Sequence, residues 1–287
     1  MKLGEITIRD PFIFPDAAGR CYYLYGTTLK ERGYAETGFY GFKSQDLKEW
    51  DGPFPVFIPD GSFWADSDFW APEVHFYHGK YYMFATFRKD GFCRGTQILF
   101  SETPDGMFVP LTEKPVTPPD WECLDGTLFV DDNGIPYMIF CHEWLQVSDG
   151  EMCVMPLSAD LREAAGEAQL LFRASEAPWS RELFSPGSGK YVTDGPFVFR
   201  EDGKLKMLWS SMGEKGYAMG CAVSDSGTIT GTWRHERTPV FAENGGHGMI
   251  FTSFDGKKYL TLHQPNISDE HPVFISLADK KHDTSNR

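Results

Sequence analysis

The chain has 287 residues, a length that suits either two domains or one all-β domain. Apolar residues make up 41% and charged residues 24%, which excludes collagen-like, disordered and coiled-coil classes. Twenty-seven Lys and Arg against 41 Asp and Glu leave a net charge of −14, a field that repels nucleic-acid phosphates and anionic membranes, so neither partner is expected.

Met1–Glu5 lacks the apolar core of a signal peptide, and no apolar run reaches the length of a membrane span, so a cytoplasmic location is expected. Glu5–Ile8 is the candidate strand that closes the last sheet. Five hairpins then follow in chain order. Pro11–Phe14 pairs with Arg20–Tyr25, Val74–Tyr77 with Lys80–Phe84, Thr127–Val130 with Ile135–Phe140, Pro196–Phe199 with Lys204–Trp209, and Met249–Phe251 with Lys258–Leu262. Their turns hold Gly19, Gly79, Asn133–Gly134, Asp202–Gly203 and Asp255–Gly256, residues that supply the positive φ of tight hairpins.

A third apolar strand in each unit ends near a serine: Ser44, Ser101, Ser158, Ser224 and Ser276. Five antiparallel units of about 50 to 60 residues each predict an all-β, five-bladed β-propeller of four-stranded blades. The approximate blades are 9–50, 70–108, 124–161, 192–233 and 246–279, forming a single domain over 1–287. One short helix is expected at Leu161–Leu170, weakened by Gly166. Residues from Lys280 to Arg287 read as a polar tail. The six cysteines never form a C-x-x-C pair, and buried free thiols are the expectation.

In a propeller the innermost strands converge on a central channel, so residues just ahead of them meet although they are far apart in sequence. Those residues are Asp10, Trp70, Asp125, Asp194 and His247. Singly, an Asp before Pro or Gly is a turn residue bonding its own backbone. Three acids in one opening raise one another's pKa and cost stability, which points instead to catalysis or metal binding. Trp70 reads either as core or as a sugar-stacking face, and the glycines flanking His247 allow close approach at the axis.

The motifs Ile8–Pro11, Trp70–Val74, Leu124–Phe129, Asp194–Pro196 and Gly246–Gly248 resemble those of glycoside hydrolase family 43, five-bladed propellers acting mainly on arabinose- and xylose-containing glycans. The resemblance runs the full chain. It implies Asp10 as the general base that activates water for inverting attack, Asp125 as the carboxylate that orients the acid and raises its pKa, and His247 as an axial residue near calcium or a similar ion. It implies no organic cofactor. The general acid falls on Asp194, where the family usually has glutamate; the shorter side chain reaches about 1 to 1.5 Å less far, and a misplacement of about 1 Å can cost about a hundredfold in rate. Glu143 is the reserve acid, with a solvated loop carboxylate as its plainer reading.

Arg9, Phe12, Trp70, Glu143 and Trp144 are the candidate substrate-binding residues, and the aromatic segment Phe63–Trp70 is a candidate platform for a sugar face. Gly187–Lys190 resembles the end of a phosphate loop and His142–Glu143 the start of a zinc-protease motif, but both lack the required partners. The expected activity is exo release of terminal α-L-arabinofuranosyl, or β-D-xylosyl, residues from short plant-glycan oligosaccharides. The alternatives are a weakly active or non-catalytic glycan-binding propeller and a phosphorolytic enzyme, the latter disfavoured because Arg9 is the only basic residue in the channel motifs.

Overall fold

The computed structural model describes residues 1–29 and 33–277. Five antiparallel sheets carry the apolar alternation into a β-propeller. Blade one comprises Arg9–Asp16, Cys21–Thr27, Phe39–Ser44 and Asp51–Phe57. Blade two comprises Ser67–Tyr77, Lys80–Arg88, Gly95–Ser101 and Val109–Pro110. Cys123–Val130, Pro136–His142, Glu151–Pro156 and Gln169–Arg173 form blade three, and Asp194–Glu201, Lys204–Gly213, Gly216–Ser224 and Trp233–His235 form blade four. The fifth sheet has three paired strands, Gly246–Thr252, Lys258–Gln264 and His271–Ser276.

The first strand of each blade is innermost. Blade one's packs against those of blades two and five, blade three's against those of two and four, and blade four's against that of five, so the ring is closed. Buried apolar side chains from neighbouring blades fill the wedges between sheets, with Trp209, Phe140, Phe84 and Tyr25 almost entirely covered. Such sheet-on-sheet burial supplies the main driving force for the fold. Five cysteines are buried, Cys93 is partly exposed, and all six are free thiols.

The ends of the chain depart from the predicted closure. Leu3–Glu5 forms a 3₁₀ turn beside the outer strand of blade five, with Ile6 O 2.8 Å from His271 Nδ1. Ile6 and Ile8 are buried in the core rather than paired as a strand, because Met1 and Trp50 exchange backbone hydrogen bonds and Lys2 bridges Glu49. The polar tail expected from Lys280 lies outside the described residues.

The helix expected at Leu161–Leu170 does not form. Leu161 takes a positive φ of 62°, Ala165 N–H donates to Pro156 O, and Ala164 bridges Leu157, so the segment folds back as a turn and enters the strand Gln169–Arg173. The short helix that does form is Trp144–Val147, immediately after Glu143. Among the described residues no helix is long and apolar enough to cross a membrane.

Candidate active site

At the channel mouth every innermost strand is interrupted in register. The interruptions fall between Arg9 and Phe12, on either side of Trp70, opposite Ile139–Cys141 in blade three, between Asp194 and Phe197, and between Gly246 and Met249. Each contains a residue of positive φ followed by Pro or Gly: Asp10 (53°), Ala71 (47°), Asp125 (56°), Gly195 (52°) and His247 (47°). Left-handed backbone at non-glycine residues is strained and persists only where the surroundings over-determine it. The equivalence expected from sequence is therefore corrected by one place in two blades. Ala71 and Gly195 occupy the bulge position, and Trp70 and Asp194 stand one residue before it.

Side chains pin these bulges in a consistent direction around the ring. Thr27 Oγ1 accepts Ala71 N–H at 2.7 Å, Thr86 Oγ1 accepts Asp125 N–H at 2.8 Å, and Ser210 Oγ accepts His247 N–H at 2.8 Å. His263 Nδ1 accepts Asp10 N–H at 3.1 Å. Each acceptor lies in the last pleats of a second strand and serves the next blade. In blade three the corresponding residue is Cys141, opposite Leu124, and Asp125 Oδ2 itself accepts Gly195 N–H at 3.0 Å. Glycine is required there: a Cβ at Gly195 would lie 2.6 Å from the His247 ring.

The three acids and His247 line one cavity of about 490 Å³. His247 Nδ1 lies 3.2 Å from Asp10 Oδ1 and 3.5 Å from Asp125 Oδ2. Thr27 Oγ1 donates to Asp10 Oδ2 at 2.5 Å, and Tyr217 Oη donates to Asp194 Oδ2 at 2.8 Å. A larger depression of about 760 Å³, between the hairpin turns of blades one and five, contains none of these acids.

The environments drive the carboxyls apart. Burial would raise Asp10, but His247, Arg9 and His263 outweigh it and hold its pKa down to about 2. Burial pushes Asp125 up to about 7, with Asp194 and Asp10 adding to the rise and His247 opposing it. Asp194 is raised chiefly by burial, against the pull of His247 and the Tyr217 hydrogen bond. His247 rises despite its burial because it faces Asp10, Asp125 and Asp194. A neighbouring pair of an ionised and a protonated carboxyl is the arrangement that acid–base catalysis needs.

The other sequence candidates divide. Arg9 lines the cavity and donates to Asn266 O at 2.7 Å and Asn266 Oδ1 at 3.1 Å, beside Glu270 at 3.3 Å. Trp70 also lines it, with the Arg94 guanidinium 4.6 Å from its ring centroid. Glu143 is buried rather than solvated, paired with Arg94, which also donates to Asp68 at 2.7 and 2.9 Å. Burial raises Glu143 to about 7 against the pull of Arg94. Trp144 stands at the rim, with Lys190 Nζ 5.1 Å and the exposed Phe184 ring 5.8 Å from its ring.

Phe12 is not brought to the cavity; its ring is buried against His75 and Phe197. The segment Phe63–Trp70 contributes only Trp70 to the cavity lining, since Phe63 and Phe69 pack with Phe57 and Phe87 and the Trp64 indole donates to Gln97. Tyr217, Thr27, Arg94 and His263 were not singled out by sequence. Thr27, Thr86, Ser210 and His263 share one place in the repeat, and that register was the available signal.

The implied calcium can be tested against the donor set. His247 aims Nδ1 at two carboxylates, and among the described residues no three His, Cys, Asp or Glu side chains are arranged to hold a metal ion. Calcium takes six to eight oxygen ligands. The protein groups form an imidazole–carboxylate cluster and do not by themselves fit that demand, so no step below runs through a metal.

The model for "Glycosyl hydrolases family 43" matches residues 4–278. A crystal structure of an endo-arabinase from Bacteroides thetaiotaomicron is 42% identical, with a TM-score of 0.90 and 96% of each chain covered. The extracellular endo-α-(1→5)-L-arabinanase 1 of Bacillus subtilis is 25% identical over 48% of this chain and 44% of its own length. The extracellular exo-α-(1→5)-L-arabinofuranosidase of Cellvibrio japonicus is 23% identical over 93% of this chain and 81% of its own length. The chain thus spans under half of one curated relative and about four fifths of the other. Both are named as extracellular proteins, which overturns the cytoplasmic expectation.

Proposed function

The chain belongs to the glycosyl hydrolases of family 43, and on that premise we propose that it hydrolyses arabinose-containing glycans with inversion of configuration. The observation that carries this reading is the set of three carboxyls in one cavity with Asp10 shifted down and Asp125 and Asp194 shifted up. Asp10 is the base. Ionised and held by Thr27, it takes a proton from water as the water oxygen bonds to the anomeric carbon. Asp194 is the acid: its proton passes to the glycosidic oxygen, which leaves with the electron pair of the breaking bond. Water has then been added across the linkage, Asp10 is protonated and Asp194 ionised, and proton exchange with solvent resets both.

Asp125 does not reach Asp194 through its carboxyl in this reading; it holds the Gly195 peptide beside it. That anchor fixes the backbone from which the shorter Asp194 side chain extends. Glu143 is the weaker acid candidate because its carboxylate is committed to Arg94. Arg9, Trp70 and Trp144 frame the sugar.

The 42% likeness to an endo-arabinase favours internal cleavage, and the name of the Bacillus subtilis relative favours α-1,5-linked arabinan as the substrate. Exo release of arabinofuranosyl residues, the expectation from sequence, is the second reading, favoured by the exo-acting relative; β-xylosyl release is third. Products from linear α-1,5-arabinan test this: mixed oligosaccharides at early times support internal cleavage, and arabinose alone supports the exo reading. Binding of arabinan without any release of reducing ends would instead indicate a glycan-binding module.

A further inference from the structure

We propose that Tyr217 is the positioning residue of the proton donor, holding Asp194 Oδ2 so that Oδ1 carries the proton toward the glycosidic oxygen. The inference rests on the assignment of Asp194 as acid and adds to it a residue on a different strand of the blade.

Several observations converge. Tyr217 Oη donates to Asp194 Oδ2 at 2.8 Å, and among the described residues no hydrogen bond is made to Oδ1. The phenol is 2% exposed, and its ring stacks on His263 with centroids 5.6 Å apart and planes 19° apart, so the hydroxyl is fixed in direction. Asp125, the carboxylate expected to orient the acid, spends its Oδ2 on the Gly195 backbone and leaves the Asp194 carboxyl to another partner. An aspartate has one fewer torsion than a glutamate, so a single fixed donor is enough to set the plane of its carboxyl.

The bond also follows the chemistry. Before transfer the proton sits on Oδ1 and Oδ2 is the carbonyl-like acceptor. As the proton leaves, negative charge spreads onto Oδ2 and the O–H···O bond becomes charge-assisted, so it is stronger in the transition state than in the ground state. Burial keeps the Tyr217 phenol protonated and hence a donor.

The test compares wild type, Y217F, D194A and the double variant on two substrates. Arabinotriose has a poor leaving group that needs acid assistance, whereas a nitrophenyl leaving group, carried on an α-1,5-arabino-oligosaccharide for internal cleavage or on arabinofuranose for exo release, needs little. Y217F should lose about ten- to hundredfold in kcat on arabinotriose and about threefold at most on the nitrophenyl substrate, with little change in KM. In the D194A background Y217F should cost nothing further. Equal losses on both substrates, an unchanged arabinotriose rate, or a loss that adds to that of D194A would overturn the inference. If D194A itself spares arabinotriose, the acid assignment fails first; if D194A discriminates and Y217F does not, only the role of Tyr217 fails. Thermal melts check folding. Should Y217F unfold, Y217Q, which keeps a donor, should retain more arabinotriose cleavage than Y217L, and equal loss would overturn the role.

Discussion

Asp125 Oδ2 accepts the backbone N–H of Gly195 at 3.0 Å, so the carboxyl of one blade fixes the main chain beside the acid of the next. This contact makes Asp125 both a structural clasp and an electrostatic neighbour of Asp194. Two consequences can be separated by the isosteric amide.

D125N keeps an acceptor for Gly195 N–H and removes a carboxyl whose folded pKa, about 7, lies above its unfolded value near 3.8. A raised carboxyl contributes stability that is full below its unfolded pKa and is lost as pH rises through its folded pKa. The variant should therefore melt higher relative to wild type at pH 7 than at pH 4, as read by calorimetry across that window.

D10N removes the carboxylate proposed as the base while leaving Thr27 and His263 in place. Turnover of arabinan should fall by at least about a thousandfold, with the circular dichroism spectrum unchanged. Retained turnover would mean that another group activates the water.

Thr27 uses one hydroxyl twice, donating to Asp10 Oδ2 and accepting Ala71 N–H. T27V leaves a buried N–H without an acceptor and should cost about 1–3 kcal/mol by denaturant titration. It also removes a bond to the Asp10 carboxylate, so the acidic limb of kcat/KM should shift upward in pH.

Arg94 is buried against Glu143 and Asp68 and covers the Trp70 ring. R94M strands a buried carboxylate, and about 3–5 kcal/mol of stability should be lost. A double variant R94M/E143Q should recover part of that stability while KM stays raised, because the ring has lost its cation.

Phe184 is 76% exposed at the rim, edge-on to Trp144. If the two rings carry a sugar beyond the cleaved bond, F184A should raise KM for arabinan roughly tenfold and leave nitrophenyl arabinofuranoside unaffected. Identical effects on both substrates would remove the rim from the binding surface.

The five-unit frame was legible because hairpin turns and apolar alternation are local signals, as His78–Gly79 and Asp202–Gly203 show by taking positive φ at both turn residues. Asp10, Asp125 and His247 were legible because each is itself the strained residue before Pro or Gly. Trp70-Ala71-Pro72 and Asp194-Gly195-Pro196 were read one place off, since which residue takes left-handed backbone depends on cross-blade contacts that no local pattern encodes. Glu143 was misjudged for the same reason: its partner Arg94 is 49 positions away. The helix expected at Leu161 lost to backbone pairing with Pro156 and Leu157.

Both imidazoles that face Asp10, His247 and His263, come from blade five. They join Arg9 and Thr27 of blade one in holding the Asp10 carboxylate, so the site is completed across the seam between the first and fifth sheets. Loosening that seam would pull the imidazoles from Asp10 and silence the site while the other sheets stay intact.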